Sequence, residues 1–193
     1  MARPEHTHLP SHEYLRYCPR CAGAFERRIV EGRPRLVCTA CGRTHYENPR
    51  VAAALLLERD GAVLLGRRVR EPVGKWDLPA GFVEIDEHPA DAAVRETFEE
   101  TGLRAEITSL LDVYADTAAG IVLVVYTGRV AGGELCLNAE ETSELAFFPR
   151  EALPSDHELA FENTRRALRA WAARGEPVQP RDVSWETPRQ MAG

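Results

Sequence analysis

The sequence predicts an α/β domain built on a mixed sheet, preceded by a small cysteine-rich unit. Three observations carry this reading. Strand-like apolar segments alternate with two helix-like ones. Four of the five cysteines stand in two tight pairs near the start of the chain. The length of 193 residues fits one medium domain plus an appendage, at about 150 residues per domain.

Composition narrows the class. Hydrophobic residues make up 44% and charged residues 28%, so a folded core is expected and wholesale disorder is excluded. The longest apolar runs, Val51–Leu57 and Ala118–Tyr126, fall short of the ~18 residues a membrane helix needs. The opening residues lack the apolar stretch of a secretory signal. Together with paired thiols, this points to a reducing, cytoplasmic setting. The net charge of −6 argues against a general nucleic-acid binder, and no membrane partner is expected.

The elements follow in order. Residues 1–14 hold His6, His8 and His12 with two prolines and read as a tail. Residues 15–47 form the cysteine unit, with its hairpin turn assigned to Gly32 and Pro34, and Asn48-Pro49 is a break. Val51–Glu58 and Ala62–Arg67 read as strands joined through Asp60-Gly61, a hairpin signal. Glu71–Lys75 reads as loop and Trp76–Glu84 as extended chain. A helix is expected from Pro89, suited to a first helical position, to Gly102, suited to the exit. Its buried side is assigned to Ala90, Val94, Thr97, Phe98 and Thr101 by their spacing. Strands are expected at Ala105–Val113, Ile121–Val130 and Leu145–Phe148. Glu158–Arg174 reads as a closing helix with Leu159, Leu168 and Trp171 inward, and the main domain spans residues 48–175. Residues 176–193 read as a second tail.

The cysteine pattern is C-x2-C, sixteen residues, then C-x2-C: Cys18, Cys21, Cys38 and Cys41. Each pair can form a knuckle that points two thiolates at one tetrahedral ion, which fits structural Zn²⁺. A unit of about 30 residues lacks the core to fold alone, and metal binding supplies the missing stabilisation. Four thiolates leave no open coordination position, so this ion is expected to be structural. His45 is left as a surface or interface residue, and Cys136 as an ordinary small side chain. The unit is basic: Leu15–Arg50 holds eight arginines against three glutamates, a net +5 that bound zinc thiolates bring to about +3. That excess is read as a solvated face, with a phosphate-facing patch or a weak nucleic-acid contact as the functional alternatives.

The chemistry is concentrated at Gly81-x5-Glu87-x7-Arg95-Glu96-Thr97-Phe98-Glu99-Glu100-Thr101-Gly102-Leu103. Glu96, Glu99 and Glu100 share a helical face at spacings of three and four, where like charges repel. They also sit at the C-terminal end of the helix, where its dipole disfavours acids. Such a cluster needs cations, and carboxylates with backbone carbonyls are hard ligands for Mg²⁺ or Mn²⁺. Arg95 can reach Glu87 and tie the preceding loop to the helix. A solvated acidic face is the plain alternative. Seven fixed identities over this chain arise by chance on the order of 1 in 10⁵, which decides against it.

This pattern resembles the Nudix box, GX5EX7REUXEEXGU with U bulky and apolar. Every fixed letter is matched, and Thr97 departs at one apolar position. Gly74-Lys75-Trp76-Asp77-Leu78-Pro79-Ala80-Gly81-Phe82 resembles the family's GxWxLPGG lead-in, with Ala80 in place of a glycine. The cysteine unit directly before it, the PAGF and RET segments and Leu159-Ala160-Phe161 resemble the zinc-ribbon branch, which cleaves ADP-ribose or FAD.

The resemblance implies a Nudix-type α/β/α sandwich with mixed sheet behind an N-terminal zinc ribbon, and a homodimer. It implies hydrolysis of a nucleoside diphosphate linked to another moiety, with Glu96, Glu99, Glu100 and the Gly81 carbonyl holding Mg²⁺ or Mn²⁺. Glu87 and Arg95 are then structural parts of the box. The catalytic base falls to a box glutamate or to the later cluster Glu140, Glu141 and Glu144, of which Glu144 is favoured. Arg67, Arg68 and Lys75 are candidates for substrate phosphates. Tyr114, Phe161 and Trp76 are candidates for base stacking, against core packing as the plainer reading. NADH hydrolysis is the rival activity, but Leu110–Val124 lacks the SQPWPFP-like segment of that branch. Hydrolysis of nucleoside triphosphates or dinucleoside polyphosphates ranks third. A nucleotide-sensing regulator that binds nucleic acid is the rival from a different class.

Overall fold

A computed structural model describes residues 15–173, so the readings of the two tails lie outside the described residues. The cysteine unit forms a three-stranded antiparallel sheet. It comprises β1 (Phe25–Val30), β2 (Arg33–Cys38) and β3 (Thr44–His45), with β2 central. The β1–β2 turn is made by Glu31 and Gly32, both at positive φ. Pro34 lies inside β2, opposite Ile29 and beyond the β3 pairing, rather than in the turn.

The main sheet has seven strands. These are β4 (Arg50–Arg59), β5 (Ala62–Arg68), β6 (Trp76–Asp77), β7 (Ala80–Phe82), β8 (Leu103–Asp116), β9 (Ile121–Gly133) and β10 (Thr142–Pro149). The main order is β10-β5-β4-β9-β8, with β6 on β5 and β7 on β4. Only β4 and β9 run parallel among the named pairs, so the sheet is mixed. Asp60 and Gly61, both at positive φ, turn β4 into β5, as the Asp-Gly signal requires.

Helix α1 (Pro89–Thr101) lies on one face and α2 (Glu162–Ala172) on the other. β4 explains why its sequence is continuously apolar. Ala53, Leu55 and Leu57 pack under α1 with Ala92, Ala93 and Leu103. Ala54 and Leu56 pack under α2 with Leu168 and Trp171. A strand covered on both faces has no polar side to show.

Helix α1 begins at Pro89, with the His88 side chain accepting from the Ala90 amide, and ends at left-handed Gly102. Its buried stripe differs from the sequence expectation: it is Ala92, Ala93, Thr97 and Thr101, while Phe98 is half exposed. Small residues bring the helix close to the sheet. The buried hydroxyls are satisfied within the helix, Thr97 donating to the Ala93 carbonyl at 2.7 Å and Thr101 to that of Thr97. This is how a threonine serves at the position where the box favours an apolar residue.

The closing helix starts four residues later than expected. Residues 158–160 instead run alongside β6: the Trp76 amide donates to the Glu158 carbonyl, and the Ala160 amide to the Trp76 carbonyl. Leu159 is therefore buried from an extended segment, whereas Leu168 and Trp171 are buried from the helix.

Leu56 is fully buried beneath α2. Leu56→Ala is expected to lower stability by about 2–5 kcal/mol in urea unfolding. An unchanged midpoint would show that the core closes over the gap.

Candidate functional site

The cysteine unit gathers its four thiols at one point. The reactive sulfurs of Cys18, Cys21, Cys38 and Cys41 all lie within 4.8 Å of one another. The Cys18–Cys41 and Cys21–Cys38 separations are 3.9 and 3.5 Å. Sulfurs about 2.3 Å from one tetrahedral ion would stand about 3.8 Å apart, so the donor set fits zinc in type and spacing. Local turns make the knuckles: the Ala22 amide donates to the Cys18 carbonyl, and the Gly42 amide to the Cys38 carbonyl. The Cys41 amide also donates to the Cys38 sulfur at 3.4 Å, which helps pull that thiol down to about 6. A thiol ionised near neutral pH is ready to take a metal. His45 stays outside the cluster, its ring tilted at 54° to that of Phe25 with centroids 6.2 Å apart. Cys136 is exposed beyond β9.

The acid cluster is built by β7 against α1. Antiparallel pairing with β4 sets Gly81 opposite Ala53, on the face that α1 covers. A Cβ at Gly81 would overlap the Glu96 carboxylate, so only glycine lets strand and helix approach this closely. The Ala80 amide donates to Glu100 Oε1 at 3.1 Å. Glu96 and Glu100 thus lie against the β7 backbone, while the Glu99 side chain is half exposed.

Arg95 closes the box. It grips Glu87 through two parallel bonds of 2.8 and 2.9 Å and donates to the Phe82 carbonyl at 3.1 Å. It also pairs with Glu96 at 2.7 Å and Glu99 at 3.2 Å. The first of these partners dominates its electrostatics. Glu87 raises the Arg95 pKa above its usual range, and Arg95 holds the Glu87 carboxyl below its own. Such forked, charge-assisted bonds fix the loop from Phe82 to Glu87 onto the helix.

At Glu96 and Glu100 burial outweighs any such relief. Burial pushes Glu96 up against the opposing pull of Arg95, with Glu99 and Glu141 adding to the rise. Burial pushes Glu100 up to about 8, opposed by the Ala80 amide and helped by Glu141, Asp77 and Glu96. All the oxygens gathered here are hard donors, and the group retains more negative charge than Arg95 offsets. Its chemistry fits a divalent cation such as Mg²⁺ or Mn²⁺.

Two acids stand out that the sequence reading did not favour. Glu141 is the member of the late cluster whose charge acts on Glu96 and Glu100. Its backbone carbonyl is pinned by the Val69 amide, and its carboxylate lies 3.8 Å from Arg70. Glu144, the favoured candidate, is instead ion-paired with Arg67 at 2.8 Å. Asp77 is largely buried beneath the lead-in. It accepts from Thr164 of α2 at 2.6 Å, from the Leu78 amide and from Arg68 at 3.2 Å, and burial raises its pKa. No spacing rule marks it, because its partners come from two distant elements.

The three candidate phosphate ligands are engaged in loop architecture. Arg67 lies 4.4 Å over the Trp76 ring and donates to the Gly74 carbonyl. Arg68 also donates to the Glu71 carbonyl and lies over Phe161, and Lys75 donates to the His157 carbonyl. Of the stacking candidates, Trp76 and Tyr114 are buried in the core, whereas Phe161 is 41% exposed.

Two measurements follow. Metal analysis of the protein should return one zinc per chain, and Cys38→Ser should lose that zinc and unfold the ribbon; full zinc retention would remove Cys38 from the ligand set. For Glu100, the folded protein without a bound cation at the box keeps its proton up to about 8, while the unfolded chain loses it near the ordinary carboxyl value of 4.5. The folded state binds more protons between these values, so stability falls as pH rises across that window. With the ribbon zinc in place and no Mg²⁺ or Mn²⁺ added, the loss of urea stability from about pH 5 to about pH 9 should shrink in Glu100→Gln. Equal losses in both proteins would place the effect elsewhere.

Comparison with known proteins agrees with this geometry. Residues 47–172 match the NUDIX domain, and residues 16–47 match the zinc-ribbon family described as Nudix N-terminal. An ADP-ribose pyrophosphatase of Methanocaldococcus jannaschii is 37% identical over 129 residues, covering 63% of this chain and 76% of that protein. A MutT-like protein of Streptomyces ambofaciens is 37% identical over 99 residues, 51% of this chain; the chain spans only 63% of its length. A NUDIX hydrolase crystal structure from Nitrosomonas europaea superposes with a TM-score of 0.77 at 31% identity, covering 86% of this chain and 97% of that one. With a full box on the β7–α1 corner and a four-thiol ribbon before it, the chain belongs to the Nudix hydrolases, enzymes that cleave pyrophosphate bonds.

Proposed function

We propose that this hydrolase cleaves the pyrophosphate of a nucleoside diphosphate joined to a second moiety, with ADP-ribose the foremost substrate and FAD the next, releasing AMP. The observation that carries the reading is the convergence of Glu96 and Glu100 on the glycine strand at Gly81, with Glu99 joined to Glu96 through Arg95. The similarity to an ADP-ribose pyrophosphatase supports the choice of substrate.

Glu96, Glu99, Glu100 and the Gly81 carbonyl would hold Mg²⁺ or Mn²⁺. When bound, such an ion neutralises the diphosphate and makes a coordinated water more acidic. The chain's own residues supply position and proton traffic. Arg95 and Glu87 keep the Gly81 loop in register with the helix. Glu100 must shed its proton to act as a ligand, since its carboxyl is pushed to about 8. Glu141, within electrostatic reach of both box acids, is better situated than Glu144 to take the proton of the attacking water. Arg70, beside Glu141, is a cation available to a phosphate at that edge.

Product analysis tests the substrate. Protein with Mg²⁺ is offered ADP-ribose, FAD, NADH and a dinucleoside polyphosphate in parallel, and AMP is followed by chromatography. AMP chiefly from ADP-ribose or FAD is expected; release chiefly from NADH would overturn the ranking. Glu99→Gln should lower kcat by about two to three orders of magnitude with the fold intact. Glu141→Gln should lower kcat with little change in KM, and Glu144→Gln should do much less. The reverse order would return the proton-accepting role to Glu144.

A further inference from the structure

The zinc ribbon carries a charged face that the hydrolytic site does not use. In the β1–β2 hairpin, Arg28 stands directly opposite Arg35, so their side chains share one face of the sheet. Arg33, two residues before Arg35 on the same strand, points to that face as well. Like charges directly opposite one another across a hairpin destabilise it. One glutamate, Glu26, answers this group by pairing with Arg28. Arg35 Nε is buried with no hydrogen-bond partner among the described residues. The Arg35 guanidinium lies over Tyr46, 4.5 Å from the ring centroid, and Tyr46 itself is 48% exposed.

Cations in a row beside an exposed aromatic ring are what a single-stranded nucleic acid requires: guanidinium forks for phosphates, and a ring on which a base can stack. The charge is also segregated. Residues 15–50 carry +5, about +3 with the zinc thiolates counted, while the whole chain carries −6, so the ribbon is a basic segment of an acidic chain. The ribbon leads directly into β4. Arg50 opens that strand and lies over Phe82, the neighbour of Gly81.

We propose that the ribbon face formed by Arg28, Arg33, Arg35 and Tyr46 binds single-stranded nucleic acid through its phosphates and one stacked base. This goes beyond the small-molecule reading of the box and does not depend on it.

The test uses the full-length, zinc-loaded protein and a short fluorescein-labelled oligouridylate, with oligodeoxythymidylate as a second probe, read by anisotropy. Three phosphate contacts predict a log–log salt slope of about −2, so a fourfold rise in salt weakens binding by about 18-fold. Arg28→Gln/Arg33→Gln/Arg35→Gln should abolish binding and its salt dependence while keeping zinc content and AMP release from ADP-ribose. Because Arg35 is half buried, Arg28→Gln/Arg33→Gln provides a second variant, expected to cut the slope by about 1.4. Tyr46→Ala should weaken binding with the slope unchanged. Absence of binding by the parent, or equal binding by parent and triple variant, overturns the proposal. A parent that dimerises, binds no oligonucleotide and becomes monomeric in the triple variant overturns it in favour of a second copy as the partner. Failure to release AMP from ADP-ribose would count against the proposed substrate and leave the binding result to be read separately.

Discussion

The candidate site depends on one arginine held among acids. Arg95 bonds a loop carboxylate, a strand carbonyl and two helix carboxylates at once. Without it, Glu87, Glu96 and Glu99 would repel one another across the corner where β7 meets α1. With it, the loop is fastened and the remaining negative charge is directed to the side where Glu100 and Glu141 lie. The arrangement is selective in its compensation: Glu87 is fully answered, whereas Glu96 and Glu100 are left wanting a cation. A corner of this kind is stable enough to form and still unsatisfied enough to bind.

Backbone size completes the arrangement. Gly81 admits the Glu96 carboxylate where any side chain would collide with it. Ala92 and Ala93 bring α1 down onto β4, and Thr97 and Thr101 fill the helix side while spending their hydroxyls on the helix itself. The acids are therefore positioned by what their neighbours lack. A larger residue at any of these points would move the helix away from the strand, and the oxygens would separate.

Much of this was legible in the sequence, for reasons that differ by element. The cysteine knuckles and the box could be read because their chemistry is local: fixed spacings force fixed geometry. β4 could be read because burial on both faces leaves an uninterrupted apolar run. The helix stripe was misjudged because counting bulky residues placed Phe98 inward, whereas close packing selected alanines and threonines. The start of the closing helix was misjudged because residues 158–160 find backbone partners on β6, a contact that no local pattern announces. Asp77 was passed over, and Glu141 ranked below Glu144, for the same reason. Their meaning lies in Thr164, Arg68, Glu96 and Glu100, all brought to them by the tertiary fold. Arg67, Arg68 and Lys75, read as candidates for substrate phosphates, also brace the lead-in loop in space, a role their positions in the sequence do not announce.

The lead-in to the box also has a dependence in time. Trp76 takes its backbone partners from residues 158 and 160, and the Asp77 carboxylate takes its hydroxyl donor from Thr164, 87 positions further along the chain. During synthesis the ribosome releases the glycine strand and the acidic helix long before it releases these partners. Until then the lead-in pairs with β5 alone and Asp77 has no hydroxyl to accept from. The C-terminal segment thus acts as a completion signal: a nascent chain can own every acid of the box and still lack the support that holds them in place.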